Sequence, residues 1–319
     1  MMKRLLFVIT LFLLSCTVNS QEAIGFEDIL NTYSQNLTAK GLAGKILKDF
    51  SSDEERAKAA FYWVSHHIKY NLSAYKEAKN KVIGFRYRNE EEKIKKLEAI
   101  KDSIVRQTLT TKKAVCEGYA QTLAKVYTHL GFENEVIRGY VRNSIYDIGN
   151  EQFVPNHAWN MVKIHKKWMI VDATWAAGSV INGRWQQIYD DYYFNIPIKH
   201  YLKTHYPADE KWMFDIELTK KEFYNQPIFT PEFLKTNLEL IAPLQGTLHI
   251  EKDKPLTLKI KNLLTFQRVL YGVSNNRFAK QPDISYEDDM GCIQIKSLKN
   301  SDKLFLVIDG EIYIEFKLI

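Results

Sequence analysis

Three side chains in this sequence have the types that together make a thiol nucleophile: Cys116, His157 and Asp172. A thiol attacks a carbonyl carbon well only as thiolate, a form favoured by a helix N-terminus or a nearby imidazolium. The imidazole in turn needs a third group to orient it. Cys116 lies in KKAVCEGYAQTLAKVYTHLG, residues 112–131, shortly after Lys112 and Lys113. There it opens a helical repeat of Cys116, Ala120, Leu123, Ala124, Tyr127 and Leu130, so it reads equally as the first residue of a buried stripe. Reactive thiol and core filler both stand on these residues alone. A zinc site built from the three is disfavoured, because no short Cys/His ligand pairs accompany them.

The elements around these residues decide whether they can meet. The helix begun by Cys116 can end at Gly131, after which the pattern changes to period two. FENEVIRGYV, NHAWNMVKI and KWMIVDATW read as three strands, the last two joined by a tight turn at His165-Lys166. With a two-residue turn, Ile164 pairs with Lys167 and Asp172 falls opposite Trp159. His157, Trp159 and Asp172 then share one face, with diagonal neighbours roughly 7–8 Å apart. A three-residue turn would send Asp172 to the other face. Neither turn residue is Gly, so the tight turn is mildly strained. Trp159 and Trp175 flank the candidate site as substrate-binding residues or as ordinary core.

Upstream, Ser52-x-x-Glu55 is a capping box ahead of Ala59, Ala60, Trp63 and Val64. NEEEKIKKLEAIKDSIVRQ predicts an amphipathic covering helix with Ile94, Leu97, Ile100 and Ile104 facing inward. Residues 176–229 are aromatic-rich and irregular. Beyond Pro243 short strands follow one another, with Asp309-Gly310 a strong hairpin turn, which predicts a C-terminal β-sandwich, Ig-like in architecture, over 243–319. His66, His67, His200 and His205 show no metal spacing and read as structural. Glu287-Asp288-Asp289 lacks a calcium-loop pattern and reads as a solvated turn.

The chain has 319 residues, 45% of them hydrophobic, enough for about two packed domains. Its formal charge of +6 is spread among interspersed acids and bases, so no nucleic-acid footprint is expected. Lys3 and Arg4 followed by the apolar run Leu5–Leu14 match a signal peptide over residues 1–20 and are too short to span a bilayer. Two endings compete. Leu13-Leu14-Ser15-Cys16 resembles a bacterial lipobox, making Cys16 a lipid anchor, whereas Val18-Asn19-Ser20 is a small-residue cleavage site. Either predicts an exported protein, periplasmic, envelope-bound or secreted. Export permits disulfides, but Cys116 and Cys292 fall in different expected domains and a bridge between them is not expected.

CEGYA at a helix start, HAWNMV on a strand and WMIVDATW on the next resemble the transglutaminase-like superfamily, a rearranged relative of papain-type enzymes. ERAKAAFYWVSHHIKYN resembles that family's leading helix, and THYPADEKWMF with KKEFYNQPIF resemble its kyphoscoliosis-peptidase-like and cytokinesis-protein branch. The resemblance covers roughly residues 50–230. It implies an α+β fold in which a transglutaminase-like core with N-terminal helices fills residues 21–235, followed by the sandwich. It also implies Cys116 as nucleophile, His157 as general base and then acid, and Asp172 as its orienter, with no metal and no cofactor. The implied substrate is a protein or peptide amide, cleaved by water or passed to an amine. Hydrolysis is favoured because no motif selects an amine acceptor. Papain-type enzymes carry a Gln about six residues before the Cys; Thr110 stands there, leaving the second oxyanion donor unassigned. The alternative is a catalytically silent binding module, which an intact Cys–His–Asp set disfavours.

Overall fold

The computed structural model describes residues 25–78, 84–251, 254–296, 298 and 301–319. The expected signal peptide, with Cys16, lies outside the described residues. Phe26–Asn31 is a short helix, α1, in a first unit that ends at Ser34; residues 35–319 form the second.

In the second unit, helix α2 (Ala39–Asp49) starts where the Thr38 hydroxyl accepts from Gly41 N–H. Helix α3 (Asp53–His67) starts at the expected capping box, in which Ser52 and Glu55 satisfy each other's backbone donors. Ala59, Ala60, Trp63 and Val64 on α3 are fully buried. The chain then runs through β1 (Lys69–Tyr70), α4 (Leu72–Ala78), α5 (Glu90–Thr111) and β2 (Lys113–Ala114) into α6 (Cys116–Leu130). Strands β1 and β2 pair in parallel, Tyr70 opposite Ala114, which brings the end of the α3 segment beside the start of α6.

Helix α5 corrects one expectation. Its inward face is buried only near the C-terminus, at Val105 and Thr108; Ile94, Leu97 and Ile100 are exposed at 60%, 37% and 39%. The apolar spacing was right for a helix, yet only the last turns lie against α6. Gly118 sets how close they come: a Cβ there would sit 2.5 Å from Ala114 Cβ and 2.7 Å from Thr108 Oγ1.

The period-two segments form a four-stranded sheet in the order β5-β4-β3-β8. Its strands are β3 (Asn134–Val141), β4 (His157–Ile164), β5 (Lys167–Val171) and β8 (His205–Pro207); a separate hairpin, β6 (Ser179–Ile181) with β7 (Arg184–Gln186), lies between β5 and β8 in sequence. Ile164 pairs with Lys167, so the turn has two residues as expected. His165 and Lys166 both take positive φ, 48° and 65°. That is the backbone of a type I′ turn, which Gly or Asn adopts at lower cost. Lys166→Gly is therefore expected to stabilise the fold by roughly 0.5–1 kcal/mol in urea unfolding, the relief of αL strain exceeding glycine's added chain entropy. Strand β5 stops earlier than the pattern suggests. Asp172 turns the chain into helix α7 (Ala173–Ala177), because its carboxylate caps Thr174 N–H and Trp175 N–H.

Helix α8 (Ile198–Thr204) leads into β8, and helices α9 (Lys220–Asn225) and α10 (Pro231–Leu234) bracket β9 (Ile228–Phe229). Two sheets then pack face to face. One runs β10 (Glu239–Ala242), β12 (Leu256–Lys261), β15 (Met290–Ile295), β14 (Asp283–Glu287); the other runs β11 (Thr247–Leu248), β17 (Glu311–Leu318), β16 (Lys303–Ile308), β13 (Val269–Val273). Alternate residues fill the space between them: Leu258, Ile260, Ile293 and Ile295 from the first sheet meet Leu304, Leu306, Ile308 and Phe316 from the second. β9 pairs with β17, so strands before residue 243 also join the sandwich. Strand β14 was not legible in its alternating polar sequence. Cys116 and Cys292 are free thiols, and among the described residues no helix is long and apolar enough to cross a membrane.

Candidate active site

Cys116 is the first residue of α6, and the N-cap before it, Val115, offers no side-chain acceptor. Gly118 N–H donates to Val115 O at 2.9 Å, and no side chain caps the Cys116 and Glu117 amides, at the end where the helix dipole favours negative charge. The turn is held from both sides. Glu117 accepts from Arg138 of β3 at 3.2 and 2.5 Å and from Gln121 at 2.9 Å. The Asn160 amide of β4 donates to Ala120 O of α6 at 3.0 Å. The helix start is therefore tied to the two central strands, and the thiol itself remains partly exposed.

His157 opens β4 opposite Gly139, and His205 on β8 lies opposite Val141, so both imidazoles share one sheet face with Trp159. Gly139 makes room there: a Cβ would fall 2.5 Å from Trp159 Cη2 and 2.3 Å from Tyr206 O. His157 Nε2 donates to Asp172 Oδ2 at 2.7 Å. Its other ring nitrogen is free of Asp172, and Cys116 lies near enough to this imidazole to add to the raising of its pKa. His205 Nε2 donates to the same Asp172 oxygen at 3.1 Å. Asp172 Oδ1 accepts from Thr174 N–H at 2.9 Å and Trp175 N–H at 3.1 Å. The carboxylate is fully buried, and four donors fill it.

Burial disfavours charge on every member, and the pairing decides which ones keep it. For His157, burial pushes the imidazole down, but the Asp172 charge and hydrogen bond, with Cys116 adding, raise it to about 10. Burial would raise Asp172, but His157 and then His205 hold it well below the usual carboxylate range. His205 goes the other way: burial lowers it, and the neighbouring His157 adds to that, despite the bond to Asp172. One carboxylate sustains one imidazolium, and His157 is the one. The three donor atoms lie within 4.8 Å of one another, a spacing that could serve a metal. Two of the three pairs are already hydrogen-bonded, and each imidazole would have to give up its Nε2 proton first, so the donor set fits a hydrogen-bond relay better than an ion.

The family model for the transglutaminase-like superfamily matches residues 40–173, the span that contains Cys116, His157 and Asp172. The chain carries a transglutaminase-like domain. It is 27% identical to kyphoscoliosis peptidase of Homo sapiens over 217 residues, 62% of this chain and 30% of that protein. The Mus musculus kyphoscoliosis peptidase is 27% identical over 251 residues, 72% of this chain and 34% of that protein. The chain thus spans about a third of the length of these curated relatives. A solved TGase structure superposes with a TM-score of 0.31 at 20% identity, covering 57% of this chain and 40% of the other.

Within the transglutaminase-like domain the two tryptophans separate. Trp159 is 1% exposed, enclosed by His157 (6.1 Å between rings), His205 (5.0 Å) and Tyr201 (6.0 Å). Of the two readings open for it, core packing is the one its burial favours, with Trp159 packed against the imidazoles. Trp175 is partly exposed, packs over His157 at 5.7 Å and His205 at 4.6 Å, and keeps one side toward solvent. The Tyr70 ring lies 5.3 Å from Trp185 of the β6–β7 hairpin, and burial together with the nearby Cys116 raises its phenol. His205 was read from sequence as a structural histidine without a site, and the structure puts it on Asp172.

Proposed function

We propose that this domain is a thiol acyltransferase acting on carboxamide or peptide bonds, with Cys116 as nucleophile, His157 as acid–base group and Asp172 as its orienter. The observation that carries this reading is the buried His157–Asp172 pair at 2.7 Å, with the partly exposed Cys116 near the same imidazole at the start of a helix. The attacking form is the thiolate. Attack on the carbonyl forms the C–S bond, and the negative charge on oxygen is met by the uncapped Cys116 amide at the helix start. As the C–N bond breaks, His157 gives its proton to the leaving amine and becomes neutral. Water, or a second amine, then attacks the thioester while His157 takes its proton, and release of product restores the thiol. Trp175 and Tyr70 are the side chains that would bound the substrate. Hydrolysis is the favoured outcome, since no acceptor subsite for an amine is evident among the described residues near Cys116.

The test uses a glutamine-containing peptide offered with and without a primary amine, followed by mass spectrometry of peptide and protein. The expected result is deamidation or cleavage in both conditions, with an amine adduct as the lesser product. Cys116→Ala is expected to abolish every product. An equal yield from Cys116→Ala would end the proposal, and a dominant amine adduct would reverse the order of hydrolysis and crosslinking.

A further inference from the structure

We propose that His205 is a positioning residue of this site: a neutral imidazole that shares the Asp172 oxygen with His157 and so moderates the hold of the carboxylate on the His157 imidazolium. The inference rests on the acyl-transfer reading of Cys116 and His157, and it adds a fourth and a fifth side chain to it. Nothing in the sequence brings residue 205 near residue 172; β8 does so by pairing with β3.

The argument is one of protons. Asp172 is a carboxylate, so both Nε2 atoms facing its Oδ2 must carry hydrogen. A neutral His205 with its proton on Nε2 has a bare Nδ1, and Thr204 Oγ1 lies 2.8 Å away to donate to it. That hydroxyl has one proton, so the weaker alternative acceptor, Tyr201 O at 3.3 Å, goes unused. Thr204 therefore fixes the His205 tautomer, and with it the N–H that His205 directs at the Asp172 oxygen serving His157. The His205 ring cannot turn away, since Trp175, Trp159 and Tyr201 surround it at 4.6, 5.0 and 6.0 Å and it is fully buried. A buried ring there for packing alone would have no use for two polar nitrogens, each costly to enclose unless bonded.

The bond also has an electrostatic consequence. The His205 N–H draws on the same oxygen that holds the His157 imidazolium, so it weakens that hold and leaves His157 a better acid toward a leaving amine. The other groups facing this cluster are Cys116 and Tyr119 from α6, Tyr70 from β1, Tyr193 before α8, and the capping amides of α7. None of these is a cation. Removing the His205 donor while keeping its volume should therefore raise the pH at which His157 loses its proton. Simple loosening of Asp172 would lower that pH, so the sign separates the shared-oxygen bond from mere anchoring or packing.

The full chain is to be compared as wild type, His205→Phe and His205→Gln, with the His157 ring followed by NMR pH titration. His205→Phe is expected to move the His157 midpoint upward by about one pH unit. His205→Gln, whose side-chain N–H can reach the same oxygen, is expected to keep the wild-type midpoint. An unchanged or lowered midpoint in His205→Phe, or failure of Gln to restore it, overturns the proposal. Should His205→Phe not fold, the wild-type ring decides: His205 is expected to show the Nε2–H tautomer from pH 5 to 9, and titration in that range or an Nδ1–H tautomer overturns the assignment. These signals do not depend on turnover. A chain that yields no peptide product but shows them loses only the acyl-transfer reading.

Discussion

Asp172→Asn is expected to slow acylation of Cys116 by roughly 10³–10⁴-fold while leaving the chain folded. The amide oxygen of Asn can keep the α7 cap, accepting from Thr174 N–H and Trp175 N–H as Oδ1 does now. The amide nitrogen then replaces the oxygen that faced His157 and His205, and its two protons need two acceptors. His157 can accept only through a bare Nε2, which moves its proton to the nitrogen that faces Cys116. In that tautomer the ring has no lone pair for the thiol's proton, and no neighbouring charge holds an imidazolium. His205 can make the same flip at little cost, because its Nδ1–H would donate to Thr204 Oγ1 and the hydroxyl could then use Tyr201 O. Asp172→Ala is the contrast. It strands two imidazoles and two amides in the interior, and its expected loss is of stability, about 3–5 kcal/mol. Pre-steady-state acylation beside urea unfolding separates the two variants. Near-wild-type acylation by Asp172→Asn would remove Asp172 from the proposed triad.

How far the sequence announced this arrangement depends on how local each piece is. The hairpin register could be worked out from alternation and one turn, and it places His157 and Asp172 on one face, where they hydrogen-bond at 2.7 Å. The capping box at Ser52 and the helix from Cys116 to Leu130 are also local, and both formed as expected. The end of β5 was misjudged because Asp172 has two roles: a β-rich run continued through it, yet its carboxylate bonded to the next two amides wins over another ladder pair. His205 was illegible for a different reason. It belongs to a three-residue strand inside an irregular aromatic stretch, and its partner, Val141, is 64 positions away (205 − 141). No short-range period carries that pairing. The exposed apolar face of α5 failed similarly: Ile94, Leu97 and Ile100 have core spacing, but spacing does not say how far the neighbouring helix extends.

Raising the pH from 6.5 to 10 is expected to destabilise the chain, and His157→Gln is expected to remove a large share of that loss. His157 holds its proton to about 10 in the fold, where the same ring in the unfolded chain releases it near 6.5. A raised value of this kind contributes fully below the unfolded pKa and is lost as pH climbs through the folded one. The window is therefore 6.5–10, with an amplitude on the order of a few kcal/mol. Asp172 has the opposite sense: its depressed value contributes above the usual carboxylate range and is lost only in strong acid. His205 and His200 are both lowered, first by burial, His200 to about 4. They must shed protons to fold in mild acid, so stability falls as pH drops from 6.5 toward 4. Of these three histidines, His157 shapes the alkaline side of the stability profile and the other two its acid side. Gln at 157 can still donate to Asp172 but carries no charge, so urea midpoints from pH 5 to 10 should show the alkaline slope flattened and the acid slope kept. An alkaline slope identical to wild type would mean that the His157–Asp172 pair is not ionised in the folded chain, and the thiolate–imidazolium chemistry built on it would lose its charge.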